Sequence, residues 1–496
     1  SARTGAAPAP RVPAARARAP AARTPRPSRA RRPADDLVRS LRDELYGPGA
    51  YERVRWREHR LDCAPEDSYR PPTPWYRVAR RVLGAYERVA PAALRARALD
   101  EAWRHIAYED DVTSYIRIGP VNAVLNTACH AARDPGGDGV RRSFAALEAY
   151  LWREEGVVSM QGYNSSQLWD TAFALQAVRA TPCAAEFADV LSRAHDYVRD
   201  TQIVDDTPEA ARHYRHRSRG AWPFSTRAHG WPITDCTAEG LKCALAMERE
   251  VAAPVPEVML REAVPQLLSW QNDDGGWATY ERQRAGRWME ALNPSGVFGD
   301  IMVDGSFVEC TSAVMQGLTA ARRRFPGEHD GAIARALAGG ERFLRAQQRD
   351  DGSWEGSWGV CFTYGTWFGV EGLAAVGATP DDPALRAARR FLLDRQAADG
   401  SWSEQPASCW ERRYVAHPDG MAVMTAWALL ALLRAGCDDR GALDRAAAFL
   451  VERQAADGSW PKESYAGVFN RTCMITYDNY RRYFPVWALG VWYASR

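Results

Sequence analysis

The sequence predicts an all-helical fold in which a double ring of helices closes into an alpha/alpha toroid, and three observations predict it. From Asp35 onward apolar residues recur at three and four spacing, amid many Ala, Leu and Arg, with breaks at Pro and Gly. Strand signals are few. A Gln…Gly…Trp element occurs four times, and helix pairs repeated at this length stack into rings or solenoids around a shared core.

In chain order, residues 1–34 hold nine arginines, seven prolines and no acid, with alanine filling most of the gaps. No apolar period there can bury a face, so residues 1–35 are expected to be disordered. An Arg-rich, acid-poor start resembles an organelle transit peptide, although the chain opens on Ser, as a truncated reading frame would. The formal charge of +2, less those nine arginines, leaves −7 for the rest, which carries no nucleic-acid footprint.

The apolar segments 171–178, 238–247, 312–321, 370–376 and 424–433 each read as an inner helix. Between them lies the repeat. Gln348, Gly352 and Trp354 form one copy, Gln396, Gly400 and Trp402 a second, Gln454, Gly458 and Trp460 a third, and Gln271, Gly275 and Trp277 a looser fourth. An outer helix ends, an Asp-Gly turn or its variant reverses the chain, and the Trp ring is expected to stack back on the Gln amide. Such a clip is structural. The ten cysteines are scattered, without a Cys-x-x-Cys pair or zinc spacing, which fits free thiols in a reducing compartment. No run of about 18 apolar residues is present to span a bilayer.

Chemistry concentrates at Asp235-Cys-Thr-Ala-Glu239. Asp235 stands where a helix should begin and would serve as an N-cap or first-turn acid. Trp222, Phe224 and Trp231 beside it would instead desolvate the carboxyl, raise its pKa from about 4 and keep it a usable acid. Nineteen Trp and nineteen Tyr are many. Trp169, Phe224, Trp231, Tyr280, Trp358, Phe362, Trp367, Phe469, Tyr477 and Tyr480 fall on or beside the inner helices, where ring faces would steady a carbocation without quenching it. Glu109-Asp110-Asp111 reads as a solvated helix end rather than a magnesium motif. No phosphate-cradling loop, serine elbow or nucleotide fingerprint is present, so neither cofactor nor metal is expected.

Asp235-Cys-Thr-Ala-Glu, the Gln-to-Trp repeats, the run Gly352-Ser-Trp-Glu-Gly-Ser-Trp-Gly-Val-Cys-Phe-Thr-Tyr-Gly-Thr-Trp and Val468-Phe-Asn together resemble the oxidosqualene cyclases over about residues 36–496. The resemblance implies a two-domain all-helical protein on one leaflet of the endoplasmic reticulum membrane or a lipid droplet, converting 2,3-oxidosqualene to sterol or triterpene skeletons. It implies Asp235 as the proton donor that opens the epoxide, Cys236 and Cys310 as thiols hydrogen-bonded to it, and Glu239 as the partner through which it is reprotonated. Trp169, Phe224, Tyr280, Trp358 and Phe469 are then cavity aromatics, with Tyr477 and Tyr480 on the far side, and Trp231 is counted with them from its place beside the acid. Tyr163, His229 and Ile233 match the cycloartenol-forming members, with lanosterol as the alternative product. Members of the family are longer at the N-terminus, so residues 36–114 are expected to be the remnant of a first alpha/alpha barrel and 115–496 the catalytic barrel. An inactive fragment, an inverting glycosidase and a non-enzymatic helical scaffold are the rivals, the glycosidase requiring two carboxyls roughly 6.5–9.5 Å apart across an open cleft.

Overall fold

The computed structural model describes residues 35–496 except 57, 60–61, 63, 70–72 and 155. The expected disordered stretch up to residue 34, and Cys63, therefore lie outside the described residues. Residues up to Val54 group as one unit and 55–496 as another. In the first, Asp35 caps the helix Asp36–Tyr46 by accepting from the Val38 N–H at 2.9 Å.

In the second unit six helices form a closed inner ring. They are α1 (Gln167–Arg179), α3 (Thr234–Met247), α5 (Val308–Arg324), α7 (Phe362–Ala375), α9 (Ala422–Arg434) and α11 (Tyr480–Ala494), and each touches the next, with α11 returning to α1. Five outer helices, α2 (Ala188–Thr201), α4 (Glu257–Ser269), α6 (Asp330–Gln347), α8 (Pro383–Leu393) and α10 (Arg440–Glu452), alternate with them along the chain. Their sequences explain the sorting. The inner α7 and α9 are buried on every side, whereas α8 buries only Ala384, Leu385, Ala388, Phe391 and Leu392, the single stripe of an outer helix. All five segments expected to be inner lie in or at the end of inner helices. The sixth, α11, escaped the sequence reading because Tyr, Trp and two arginines interrupt its apolar run.

The Gln…Gly…Trp element is a hydrogen-bonded clip. Gln348 donates from Nε2 to the Gly352 carbonyl at 3.0 Å and to the Ala384 carbonyl on the next outer helix at 2.9 Å, and Trp354 Nε1 donates to the Leu344 carbonyl. The indole thus bonds the preceding outer helix instead of stacking on the amide as expected. Gly352 has φ +90°, where an added Cβ would meet the Ala387 carbonyl oxygen at 2.4 Å, so only glycine fits the turn. The copies at Gln271 and Gln396 repeat all three bonds. A fifth copy was hidden. Gln202 donates to Gly220 and Met259 carbonyls and Trp222 Nε1 to Val198, the same pattern with a long insertion between Gln and Gly that destroys the spacing.

Before the ring, the helices Pro74–Val89, Ala92–Val112, Pro120–Arg133 and Asp138–Leu147 run along the chain, and several carry exposed apolar side chains, with Trp75 83% exposed. The chain is locked together on the two sides of residue 114. Asp110 and Arg117 are both fully buried and ion-paired across it at 2.6 Å. This corrects the reading of Glu109-Asp110-Asp111 as solvated, since only Asp111 is exposed. Among the described residues there are also three two-stranded antiparallel hairpins: β1–β2 (Leu151–Glu154, Val157–Met160), β3–β4 (Trp402–Glu404, Ala416–Met421) and β5–β6 (Gly467–Phe469, Cys473–Ile475). The nine described cysteines are all free. No helix among the described residues is long and apolar enough to cross a membrane.

Candidate active site

The ring encloses an apolar cavity with about 980 Å³ of empty space, mouth included. Inner-helix N-termini, the β5–β6 hairpin and residues 118–122 at the start of the helix Pro120–Arg133 wall it. Among the described residues, Asp235 is the only charged side chain in its lining. A larger polar groove beside it, bordered by Glu154, Lys462, Asp478 and Arg481, shares Tyr163 and Tyr477 as a common wall.

Asp235 lies in the first turn of α3, after an N-cap at Ile233, so it is not itself the cap. Its Oδ1 accepts from the Cys236 backbone N–H at 2.8 Å. Its Oδ2 faces the Cys310 thiol at 3.8 Å, a long sulfur hydrogen bond. Burial raises the Asp235 pKa to about 6, the Glu239 charge adds to the rise, and the donors at Cys236 and Cys310 oppose it. Burial holds both thiols protonated, as donors need to be.

Cys310 is itself placed by a chain the sequence did not reveal. Trp358 Nε1 donates to Thr279 Oγ1 at 2.9 Å, leaving the Thr279 hydroxyl hydrogen free for Cys310 Sγ at 3.6 Å and the Cys310 S–H for Asp235. One cavity indole is thereby coupled to the acid. Removing the last donor should make the acid weaker: Cys310→Ala is expected to move the alkaline limb of kcat/KM above pH 6 and to lower turnover. A limb unmoved or moved down in a pH–rate profile refutes the role of the thiol.

Glu239 lies one helical turn beyond Asp235 on α3. It is fully buried but turned to Gln176 Nε2 and Lys242 Nζ, both at 2.8 Å, and no hydrogen bond joins it to Asp235. Lys242 in turn donates to Gln316 on α5, so the pair ties three inner helices together below the acid.

Of the expected cavity aromatics, Trp169, Phe224, Tyr280, Trp358, Phe469, Tyr477 and Tyr480 line the space. Trp231 does not; its ring lies under the Arg215 guanidinium at 3.4 Å, in a cation–π contact that holds it out of the lining. Phe362 and Trp367 are plain core on α7, Trp367 packing edge-on to Phe484. Trp358 and Phe469 form one wall with ring centroids 5.5 Å apart, and Tyr477 stacks on Tyr480 at 4.5 Å on another. Trp169 Nε1 donates to the Tyr480 hydroxyl at 2.9 Å. Tyr163, His229 and Ile233 all line the cavity too, and burial lifts the Tyr163 hydroxyl to about 12 and drops His229 to about 3.

Two carboxyls outside the expected set, the fully buried Glu309 and the half-buried Asp304, shape these walls. Asp304 accepts from the Tyr280 N–H at 2.8 Å, and Glu309 accepts from the Ser357 and Trp358 N–H groups at 2.7 and 2.8 Å. Burial pushes both pKa values to about 7. Glu309 directly precedes Cys310, and that adjacency was the one sequence signal available. Asn164, Phe298, Ile475 and residues 118–122 line the cavity without any sequence signal.

The squalene-hopene cyclase C-terminal domain matches residues 165–494. A cycloartenol synthase of Dictyostelium discoideum is 45% identical over 460 residues, covering 92% of this chain and 65% of that protein. A lanosterol synthase of Homo sapiens is 43% identical over 466 residues, covering 92% and 64%. The chain thus spans just under two thirds of the length of the curated relatives it matches.

Proposed function

Taking as premise that the chain belongs to the squalene-hopene cyclase family, we propose that its site protonates the epoxide of 2,3-oxidosqualene at Asp235 and cyclises the polyene to a sterol precursor. The observation that carries this reading is the isolation of Asp235: one buried acid with raised pKa, in a cavity otherwise lined by neutral, largely aromatic groups. The carboxyl proton passes to the epoxide oxygen, the C–O bond to the more substituted carbon breaks, and the next alkene supplies the electrons that close the first ring. Each later cation meets ring faces, whose quadrupoles stabilise positive charge without forming a bond to it. A strong neighbouring base would end the cascade early, and apart from Asp235 itself the lining holds no charged side chain among the described residues.

Cycloartenol is the product favoured by Tyr163, His229 and Ile233 standing together in the lining; lanosterol is the alternative, and relatives of both names align with the chain. Attachment to one membrane leaflet, at the endoplasmic reticulum or a lipid droplet, belongs to the same proposal. It is supported by the apolar cavity and by exposed Val121, Val124 and Leu125, Val121 also lining the cavity. An inverting glycosidase is disfavoured because no second carboxyl lines the cavity among the described residues.

Expression in cells lacking their own cyclase tests all of this at once. Cycloartenol by mass spectrometry, with the protein in the membrane fraction, is expected. Lanosterol without cycloartenol overturns the product, a wholly soluble protein overturns the attachment, and unconverted oxidosqualene overturns the cyclase reading.

A further inference from the structure

We infer that Asn164 is a positioning residue: its amide, oriented by the backbone carbonyl of Arg117, holds His229 as the neutral tautomer protonated on Nδ1 and so withholds the imidazole lone pair from the cavity. Asn164 Nδ2 stands 3.0 Å from the Arg117 carbonyl oxygen and 2.7 Å from His229 Nε2. Which end of an Asn amide is nitrogen is ordinarily open, but a carbonyl only accepts, so the atom facing Arg117 must be the NH₂. Its other hydrogen then points to His229 Nε2, which has to present a lone pair. A neutral imidazole carries one N–H, and it must sit on Nδ1, the buried nitrogen with no partner of its own.

The charged form is closed off as well. Burial is the largest influence on His229 and the nearby Arg215 charge works the same way; the Arg117 carbonyl opposes them, yet the net pKa is only about 3. Both side chains are deep, Asn164 at 5% and His229 at 1% exposure. The reference point cannot drift either. Arg117 holds a left-handed φ of +65°, and its side chain is tied to Asp110, Ala123, Thr127 and Ser143. The orientation signal therefore starts in a fully buried ion pair and ends at the cavity lining.

The consequence rests on the cyclase reading, although the tautomer itself does not. His229 lines the same cavity as Asp235, Tyr163 and Ile233, the positions tied to product choice. A free imidazole lone pair there would take a proton from a passing cation and end ring formation early. With Nε2 engaged by Asn164 and Nδ1 protonated, the ring offers only an N–H and a π face.

The test uses the full chain labelled with ¹⁵N-histidine, because ring nitrogens with and without a proton have distinct ¹⁵N shifts, and His229→Gln identifies the His229 signals by their loss. Wild type is expected to show Nδ1 protonated and Nε2 bare. Asn164→Asp, whose carboxylate only accepts, should move the proton to Nε2 or charge the ring, and the near-isosteric Asn164→Leu should give a mixture of tautomers. An Nε2–H wild type, or an Asn164→Asp spectrum identical to wild type, overturns the assignment. With 2,3-oxidosqualene, Asn164→Leu, which adds no base to the cavity, should shift the product ratio by about threefold or more toward early-deprotonated products. An unchanged ratio beside an altered spectrum overturns the role in product choice. If wild type converts no oxidosqualene, the cyclase reading falls and the spectra still decide what Asn164 does.

Discussion

Asp235→Asn should abolish cyclisation and at the same time stabilise the protein at neutral and alkaline pH. Loss of a positioned general acid costs roughly 10²–10⁴-fold in rate, and more where no second acid reaches the substrate. Here Asp235 is the sole charged group in the cavity lining among the described residues, so activity at or below the limit of detection is expected. The stability gain follows from the direction of the pKa shift. Burial raises the folded carboxyl to about 6 from its ordinary 3.8, so the unfolded chain ionises first as pH rises. Stability is full below pH about 4 and declines through the folded pKa near 6, a loss on the order of 3 kcal/mol by pH 8. Asparagine is neutral at every pH and can keep the bond from the Cys236 N–H. Denaturant unfolding of both proteins at pH 4 and pH 8 should give equal midpoints at the first and a more stable variant at the second. A variant no more stable at pH 8 would mean that Asp235 pays no burial cost, and surviving turnover would remove it as the proton donor.

Arg117→Met should have the largest effect on folding, a loss of about 3–5 kcal/mol. All five guanidinium N–H groups are used, on Asp110, Ala123, Thr127 and Ser143, within a site closed to solvent. Asp110 additionally accepts from Asn126 and meets His130 at 2.6 Å. Burial alone would raise the Asp110 pKa, but the bonds from Arg117, Asn126 and His130 outweigh it and hold it below the ordinary carboxylate range. Methionine would fill much of the volume and leave that carboxylate without its main partner. Against a usual margin of about 5–15 kcal/mol, the variant should unfold at much lower denaturant than wild type. The pH dependence runs opposite to that of Asp235: Asp110 contributes stability above its unfolded pKa and loses it as pH falls through the lower folded value. The deficit of Arg117→Met should therefore shrink in acid, and a deficit independent of pH, or none at all, would refute the buried pair as the source.

These two carboxylates also mark how far sequence reaches. Asp235 was legible because its chemistry is written locally: an acid in a first helical turn, aromatics within a few residues, and thiols adjacent or in a second recognisable segment. Asp110 was misread for the opposite reason. Three acids in a row look solvated, and the guanidinium that buries the middle one arrives seven residues later through a left-handed turn at Ser114, Tyr115 and Arg117 that no spacing rule foretells. Trp231 failed similarly, drawn away from the cavity by the Arg215 guanidinium.

By itself the sequence determined the helical class, the alternation of inner and outer helices, four of the five clips, and the acid with most of its aromatic surroundings. These are local or periodic properties: burial on all sides or on one stripe, a glycine forced to positive φ, a fixed interval from Gln to Trp. Only the tertiary structure decided which groups face one another across the ring. The Trp358–Thr279–Cys310–Asp235 chain, the hold of Arg117 on Asn164 and His229, and the clip interrupted by its insertion all join residues distant in sequence. Hydrogen bonds depend on positions to within tenths of an ångström, and those positions are set when the inner helices close on one another.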